Sequence, residues 1–150
     1  LITTFIFSKK KNIHFLQLAD ILSLPAALAL ALGRIANFIN GELYGIPTNL
    51  PWAVKFPGAP EFRHPSQLYE AGKNLLIFVV LLVVKDPKRK PGTIFGLFLT
   101  LYGVLRFMIE VVREPDVMIG PLTMGQVLSI PLVIIGAALL WKLLAKKNIA

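Results

Sequence analysis

Four long apolar runs, separated by short loops rich in proline, glycine and charge, restrict the fold of this chain more than any other feature. They cover residues 18–38, 65–84, 93–112 and 123–144. Each run is close to the roughly 20 residues that an α-helix needs to cross the hydrocarbon core of a bilayer. The chain is 55% hydrophobic with a mean hydropathy of +0.69, above the apolar content of ordinary soluble domains. The pattern predicts an all-α, polytopic helical membrane bundle with four transmembrane helices, forming one transmembrane domain over residues 1–150.

Local signals indicate where several of these helices begin. Asp20 or Ser23 is predicted to cap the first helix, and Pro65 suits the first position of the second helix, where its missing N–H costs nothing. Thr123 and Gln126 fit a capping box, in which each side chain bonds the backbone N–H of the other residue. Residues 1–7 are apolar but too short to span, and they lack the order of a signal peptide. We interpret them as the tail of a preceding helix, so we expect further spans before this chain.

The basic residues predict how the bundle is oriented. Four spans place three basic clusters on one side of the membrane: Lys9, Lys10 and Lys11; Lys85, Lys88, Arg89 and Lys90; and Lys142, Lys146 and Lys147. Such clusters are typical of the cytoplasmic side, so loops 39–64 and 113–122 are expected at the outer face of a bacterial plasma membrane. The net charge of +8 arises largely from these clusters. They lack the interleaved aromatic residues of single-strand binders, so nucleic acid is not an expected partner.

Residue usage also limits the possible chemistry. The chain contains no cysteine, which excludes disulfides and thiolate metal sites. Its two histidines, His14 and His64, are predicted on opposite sides of the membrane, so no metal site is expected. Phosphate-loop, nucleophile-elbow and dinucleotide motifs are absent. If a thiol takes part in the chemistry, that thiol belongs to a substrate.

Charged residues within the predicted spans are the strongest indication of a functional site. Arg34 lies in the first span, and Arg106 and Glu110 lie in the third. A charge at mid-bilayer costs on the order of 3 kcal/mol. Tyr102, Arg106 and Glu110 share a helix face, as do Arg34 and Asn37. Two interpretations stay open: Arg106 and Glu110 form a structural ion pair, or the guanidiniums of Arg34 and Arg106 bind an anion such as a phospholipid headgroup.

The loop between the first two spans carries more polar side chains than a connection requires. Just past the first span come Asn40, Glu42 and Tyr44, with glycines at Gly41 and Gly45, and at the start of the second span come Arg63, His64, Ser66, Gln67, Tyr69 and Glu70. Taken singly, each has a structural explanation, such as a turn dihedral or a helix cap. Their gathering at the membrane face where Glu110 and Arg113 are expected favours a shared functional role.

Three segments together resemble the prolipoprotein diacylglyceryl transferase family. They are GRIANFINGELYG at residues 33–45, RHPSQLYE at residues 63–70, and YGVLRFMIEVVREPD at residues 102–116, followed by Gly125 and Gln126. Their order and spacing fit the family from about Asp20 onward. Ala36 departs from the glycine that the family usually has. The family's preceding spans, with a histidine in a His-Gly-Gly element, are not in this sequence, so we expect the chain alone to be inactive.

The resemblance implies a reaction and its substrates. Phosphatidylglycerol donates its diacylglyceryl group to the thiol of the lipobox cysteine of a prolipoprotein, which leaves a thioether and releases glycerol 1-phosphate. Arg34 and Arg106 are expected to hold the leaving phosphate and stabilise its growing charge. Tyr102 is expected to orient Arg106, while Asn37 and Asn40 hydrogen-bond headgroup oxygens. No metal or organic cofactor is needed, and we expect a monomer in the lipid bilayer.

The thiol must lose its proton, because the thiolate is the nucleophile. Glu110, Glu42 or His64, or the histidine of the family's preceding spans, is the expected base. Gly45 is expected to keep the loop close to the lipid. Two other function classes stay open: a transporter or channel lined by the intramembrane charges, for which we see no inverted repeat, and a structural membrane subunit whose charges pair with one another.

Overall fold

The computed structural model describes residues 2–115 and 117–145. It confirms the all-α membrane bundle, because four helices within those residues are long and apolar enough to cross a bilayer. In chain order the elements are α1 (Ile2–Lys10), α2 (Phe15–Asn40), α3 (Ser66–Val84), α4 (Thr93–Ile109), a single 3₁₀ turn (Glu110–Val112), the paired strands β1 (Met118–Ile119) and β2 (Leu122–Thr123), and α5 (Met124–Ala145). Asp116, Lys146 and Lys147, which figure in the predictions above, lie outside the described residues.

The first span is longer than predicted, because α2 extends over Phe15–Asn40. The prediction that Asp20 or Ser23 caps it is wrong, since both residues lie inside the helix. The Asp20 carboxylate instead accepts hydrogen bonds from the backbone N–H groups of Gly92 and Phe95, each at 2.7 Å. Asp20 therefore caps α4 from a neighbouring helix, a contact that contributes about 1 kcal/mol.

The beginning of α5 follows the predicted capping box. The Thr123 N–H donates to Gln126 Oε1 at 3.0 Å, and the Gln126 N–H donates to Thr123 Oγ1 at 3.2 Å. The reciprocal bonds satisfy two of the amides that a helix start leaves free. Pro65 is the residue immediately before α3, which begins at Ser66, and not the first residue of the helix as predicted.

Small residues let α4 and α5 approach each other closely. A Cβ on Gly103 would overlap the Val133 side chain and lie 2.9 Å from the Ser129 carbonyl oxygen. A Cβ on Gly136 would lie 2.7 Å from the backbone nitrogen of Thr100. Close backbone approach of this kind is how helices associate in lipid, where apolar burial alone does not drive them together.

The bundle has an apolar exterior and, toward one end, a polar interior. Large apolar side chains such as Ile134 and Trp141 are exposed, and the apolar core is a small cluster formed by Ala27, Ile77, Leu81 and Ile94. The buried polar side chains include Ser66, Gln67, Glu70, Lys73, Asn74, Glu110 and Arg113. Lipid accommodates apolar side chains but satisfies no polar group, so this distribution fits a protein surrounded by bilayer.

The lysine-rich clusters and the polar interior lie at opposite ends of the bundle. The Lys90 ammonium donates to the Leu143 carbonyl oxygen at 3.0 Å, and Asp20 binds Gly92. These contacts join the beginning of α2, the α3–α4 loop and the end of α5. At the other end the α2–α3 loop pairs with the segment after α4 through Gly45 and Arg113. The second and third of the predicted basic clusters therefore lie at the same end of the bundle, as far as the structure describes them.

Candidate functional site

Six ionisable side chains meet inside the bundle at the end opposite the lysine-rich loop between α3 and α4, and we call them the Glu70 cluster. They are Arg34 of α2, Glu70 and Lys73 of α3, Arg106 of α4, Glu110 of the 3₁₀ turn and Arg113 after it. Three spans contribute because α2, α3 and α4 pack against one another. The structure brings Arg34, Arg106 and Glu110 together, as the sequence predicts. With them are Glu70 and Arg113, which the sequence also places at this face, and Lys73, which the prediction did not include.

The carboxylate of Glu70 is the centre of this cluster. Its side chain is 1% exposed, and Arg106 Nη1 donates to its Oε1 atom. Its Oε2 atom accepts a hydrogen bond from Lys73 Nζ at 2.7 Å and lies 3.8 Å from Arg34 Nε. Three cations from three helices therefore face one buried carboxylate. This arrangement supplies the compensating partners that a buried charge needs.

Arg106 lies between two carboxylates. Besides its contact with Glu70, its Nη2 atom is 2.8 Å from Glu110 Oε2, and Arg113 Nε is 3.9 Å from that same oxygen. A Cβ on Gly125 would overlap the Glu110 carboxylate, so glycine at this position leaves room for it. The Arg106–Glu110 ion pair considered in the sequence exists, as part of a larger network.

The start of α3 sets the position of Glu70. The Gln67 amide donates to the Glu42 carbonyl oxygen at 2.6 Å, and the Ser66 hydroxyl donates to the Leu43 carbonyl oxygen at 3.1 Å. These bonds tie the loop after α2 to the first turn of α3, and Glu70 follows one turn later. Lys73 then lies three residues further, on the same helix face.

Sequence reasoning missed the central role of Glu70 and overlooked Lys73 and Asn74. Glu70 stands near a predicted helix start, where a polar residue is unremarkable. A signal was nevertheless present, because Lys73 and Asn74 interrupt an apolar run and Lys73 is three residues from Glu70. An ionisable residue within a span, with an opposite charge one turn away, indicates a buried pair.

Gly45 joins the α2–α3 loop to the end of α4. Its N–H donates to the His64 carbonyl oxygen at 2.9 Å, and the next N–H, that of Ile46, donates to the Val112 carbonyl oxygen at 3.2 Å. A Cβ at Gly45 would overlap that Val112 oxygen. Glycine is needed because two backbone segments approach closely. The expectation that Gly45 keeps the loop near lipid stays a prediction.

Arg63 holds this loop against the segment after α4. Its guanidinium donates to Glu114 at 2.8 Å and to the Gly45 carbonyl oxygen at 3.3 Å. It also lies over the ring of Tyr44, 5.0 Å from the centroid, a favourable cation–π distance. The neighbouring Arg113 is buried outside the spans; burial lowers the pKa of its guanidinium, and the like charge of Arg106 acts in the same direction.

His64 belongs to a hydrogen-bond chain in the loop. The Trp52 indole N–H donates to the Tyr69 hydroxyl at 2.7 Å, and that hydroxyl lies 3.2 Å from His64 Nδ1. An indole can only donate, so the Tyr69 oxygen accepts the bond from Trp52. The direction of the hydrogen bond between the Tyr69 hydroxyl and His64 Nδ1 depends on the imidazole tautomer. In either direction, Nδ1 is engaged by Tyr69.

Three other predicted residues lie at the edge of the site. The Asn40 amide donates to the Glu42 carboxylate at 2.8 Å, and both side chains are exposed. Glu42 and Arg113 line a pocket of about 420 Å³ that is open to the surface. Asn37 is half-buried, and its carbonyl oxygen accepts the Glu42 N–H at 2.9 Å. Glu42 therefore lines an opening that it shares with Arg113 of the Glu70 cluster, and Asn37 and Asn40 contact Glu42 from the end of α2.

Tyr102 occupies a different position from the one its spacing suggests. The ammonium of Lys73 lies 4.2 Å from the centroid of the Tyr102 ring, and the ring of Phe98 packs beside it. Tyr102 therefore contacts a cation of α3, whereas the sequence suggests an orienting contact with Arg106. Within residues 2–115 and 117–145, no group of three or more His, Asp or Glu side chains is arranged to hold a metal ion.

A family model described as prolipoprotein diacylglyceryl transferase matches residues 1–142. Curated relatives named phosphatidylglycerol–prolipoprotein diacylglyceryl transferase are similar along most of the chain. The protein of Aeromonas hydrophila is 46% identical over 143 residues, which are 90% of this chain and 52% of the relative. That of Chromohalobacter salexigens is 47% identical over 146 residues, covering 93% of this chain and 55% of the relative. The chain thus spans about half the length of the curated relatives it matches.

Proposed function

This chain belongs to the prolipoprotein diacylglyceryl transferase family, and from that premise we propose that it contributes to the transfer of a diacylglyceryl group from phosphatidylglycerol to the lipobox cysteine of prolipoproteins. One observation carries the proposal: Arg34 of α2 and Arg106 of α4 meet at one carboxylate, that of Glu70. Two guanidiniums held this close can bind the oxygens of a single phosphate together.

The proposed reaction is a displacement at carbon. The thiolate sulfur of the prolipoprotein forms a bond to the terminal glycerol carbon of the diacylglyceryl group, and the bond from that carbon to its phosphate oxygen breaks. The electron pair remains on the oxygen, so glycerol 1-phosphate leaves, while the thiol proton goes to a base. The step needs no oxidant, metal or organic cofactor, since both substrates supply all the atoms.

The charge of the Glu70 cluster suits the leaving group. Its four cations and two carboxylates leave an excess of two positive charges. A phosphodiester carries one negative charge, whereas the departing phosphate monoester carries close to two at neutral pH. An environment that favours the more highly charged species binds the transition state more tightly than the substrate, which accelerates the reaction.

The predicted bases differ in accessibility. Glu110 is buried and held by Arg106 and Arg113, which suits an anchor for arginine. His64 has its Nδ1 atom occupied by Tyr69. Glu42 is exposed beside the pocket that Arg113 lines, and a general base must reach the proton that it removes. We therefore propose Glu42 as the base within this chain, beside the histidine expected from the family's preceding spans.

We further propose that the Glu70 cluster faces the outer leaflet of a bacterial plasma membrane and that the lysine-rich end is cytoplasmic. Because the chain has no cysteine, single cysteines can report its orientation. Cysteine at Thr48 is expected to react with a membrane-impermeant maleimide added to whole cells, and cysteine at Lys88 only after the cells are opened. The reverse pattern would contradict the orientation. Association as a monomer stays a prediction.

Transfer itself is tested in a transferase-deficient bacterium. We expect a hybrid, in which this chain replaces the matching half of the Aeromonas hydrophila relative, to form thioether-linked lipoprotein that mass spectrometry detects. The chain alone is expected to form none, because the family's histidine element is not in its sequence. The intact relative serves as the positive control. A hybrid that accumulates folded in the membrane without transfer would count against the proposal, and activity of the chain alone would contradict the need for further spans.

A further inference from the structure

Lys73 is a lysine buried inside a membrane-spanning helix. Its side chain is 2% exposed, and its ammonium donates to Glu70 Oε2 at 2.7 Å. The ammonium also lies 4.2 Å from the centroid of the Tyr102 ring, within the range of a cation–π contact. With so little exposure, Lys73 is enclosed by its two partners and does not itself reach a ligand in the opening.

The two arginines beside Lys73 are held very differently. Arg106 is engaged by two carboxylates, those of Glu70 and Glu110. For Arg34 the one ion pair within residues 2–115 and 117–145 is the contact of its Nε atom with Glu70 Oε2 at 3.8 Å, which is too long for a hydrogen bond. Arg34 is also the more exposed of the two, at 20% against 15% for its side chain. Arg34 is therefore the less engaged of the two arginines and the more available to a ligand.

Lys73 and Arg34 face the same oxygen atom. Both are nearest to Glu70 Oε2, and the ammonium of Lys73 is the one within hydrogen-bond distance. Without that ammonium, Oε2 would be a buried carboxylate oxygen short of a donor, which is costly. A movement of Arg34 by about 1 Å would bring its guanidinium within hydrogen-bond distance and relieve that cost.

We propose that Lys73 is a positioning residue, which occupies Glu70 Oε2 and so keeps the Arg34 guanidinium available for the phosphate of an anionic phospholipid. This inference rests on the proposed function, since it concerns the same phosphate site. Removing the lysine lets Arg34 close onto Glu70, and the site then loses one of its two phosphate-binding guanidiniums. Lys73 acts through Glu70 and Arg34, without touching the lipid.

The test is a double-mutant cycle on lipid affinity. The chain, in detergent micelles, is titrated with fluorescent phosphatidylglycerol, and with fluorescent phosphatidylcholine as the zwitterionic comparison. We expect Lys73→Met to weaken phosphatidylglycerol binding about tenfold, the loss typical of one charge-assisted contact, and Arg34→Ala to weaken it at least as much. In the Lys73→Met variant Arg34 already binds Glu70 and no longer contacts the lipid. The double variant is therefore expected to bind phosphatidylglycerol no more weakly than Arg34→Ala.

Matched variants separate this role from a merely structural one. Lys73→Arg keeps a cationic donor and is expected to bind within about threefold of the wild type. Lys88→Met removes an exposed lysine and is expected to change nothing. Should Lys73→Met fail to accumulate in the membrane, Lys73→Leu, which likewise has no hydrogen-bond donor, carries the same cycle. In the hybrid enzyme, the same substitutions are expected to raise KM for phosphatidylglycerol, whereas a structural defect would lower the active fraction and hence the apparent kcat.

The outcomes distinguish the inference from the proposed function. Equal phosphatidylglycerol affinity of the wild type and Lys73→Met, or losses for Lys73→Met and Arg34→Ala that multiply in the double variant, would overturn the role of Lys73. Wild-type binding that does not prefer phosphatidylglycerol over phosphatidylcholine would overturn both. A cycle with the expected non-additivity, together with a folded hybrid that forms no thioether, would reject the transferase proposal and leave the inference standing.

Discussion

Replacing Arg34 with alanine in the hybrid enzyme is expected to lower thioether formation by about a thousandfold while the protein remains folded. Loss of one preorganised group that stabilises developing negative charge costs about 10²–10³ in rate, and Arg34 also serves to bind the phosphate. Among the described residues its one ion pair is a contact with Glu70 at 3.8 Å, so little native structure is lost with it. Mass spectrometry of a model lipoprotein measures transfer, and thermal unfolding in detergent measures stability.

Arg106→Ala is the informative companion of this variant. It is expected to lose transfer to a similar degree but also to be destabilised, since Glu70 and Glu110 both lose a buried counterion. Removing one partner of a buried ion pair costs about 3–5 kcal/mol.

Arg34→Lys is expected to be impaired as well, because an ammonium cannot bind two phosphate oxygens as a guanidinium fork does. Lys88→Ala, in an exposed loop, is expected to be fully active. Normal lipoprotein maturation by both alanine variants would reject the phosphate site.

Replacing Glu70 with alanine is expected to have the largest effect on stability. Its carboxylate faces Arg34, Lys73 and Arg106, and without it three cations lie together in a site that water scarcely reaches. Leaving buried charge uncompensated costs several kcal/mol. We therefore expect the variant to accumulate poorly in the membrane and to unfold at a temperature clearly below that of the wild type, as measured by the loss of monodisperse protein on heating.

Two further glutamate variants make this result interpretable. Glu70→Gln keeps the shape and one acceptor oxygen, so it is expected to be less destabilised than Glu70→Ala. Glu61→Ala removes an exposed carboxylate from the α2–α3 loop and is expected to change the unfolding temperature very little. If Glu70→Ala unfolded at the wild-type temperature, the Glu70 carboxylate would not be the centre of the cluster's electrostatic stability.

The membrane bundle and its helix ends could largely be predicted from local sequence. A span in lipid must satisfy its backbone hydrogen bonds within itself, so an apolar run of sufficient length already predicts a helix. The Thr123 and Gln126 capping box is equally local, because the bonded atoms lie three residues apart. Arg34, Arg106 and Glu110 could be identified because charge inside an apolar run is conspicuous.

The partners of those charges required the tertiary structure. Asp20 looked like a cap for its own helix and caps α4 instead, and Glu70 looked like a polar residue at a helix start and is the counterion of three cations. Gly45 is needed because its loop closely approaches the end of α4, which is far from it in the sequence. Sequence spacing gives the face of one helix on which a side chain lies. The counterion of a buried charge comes from the neighbouring helix that lies closest, and which helix that is depends on packing across the whole bundle.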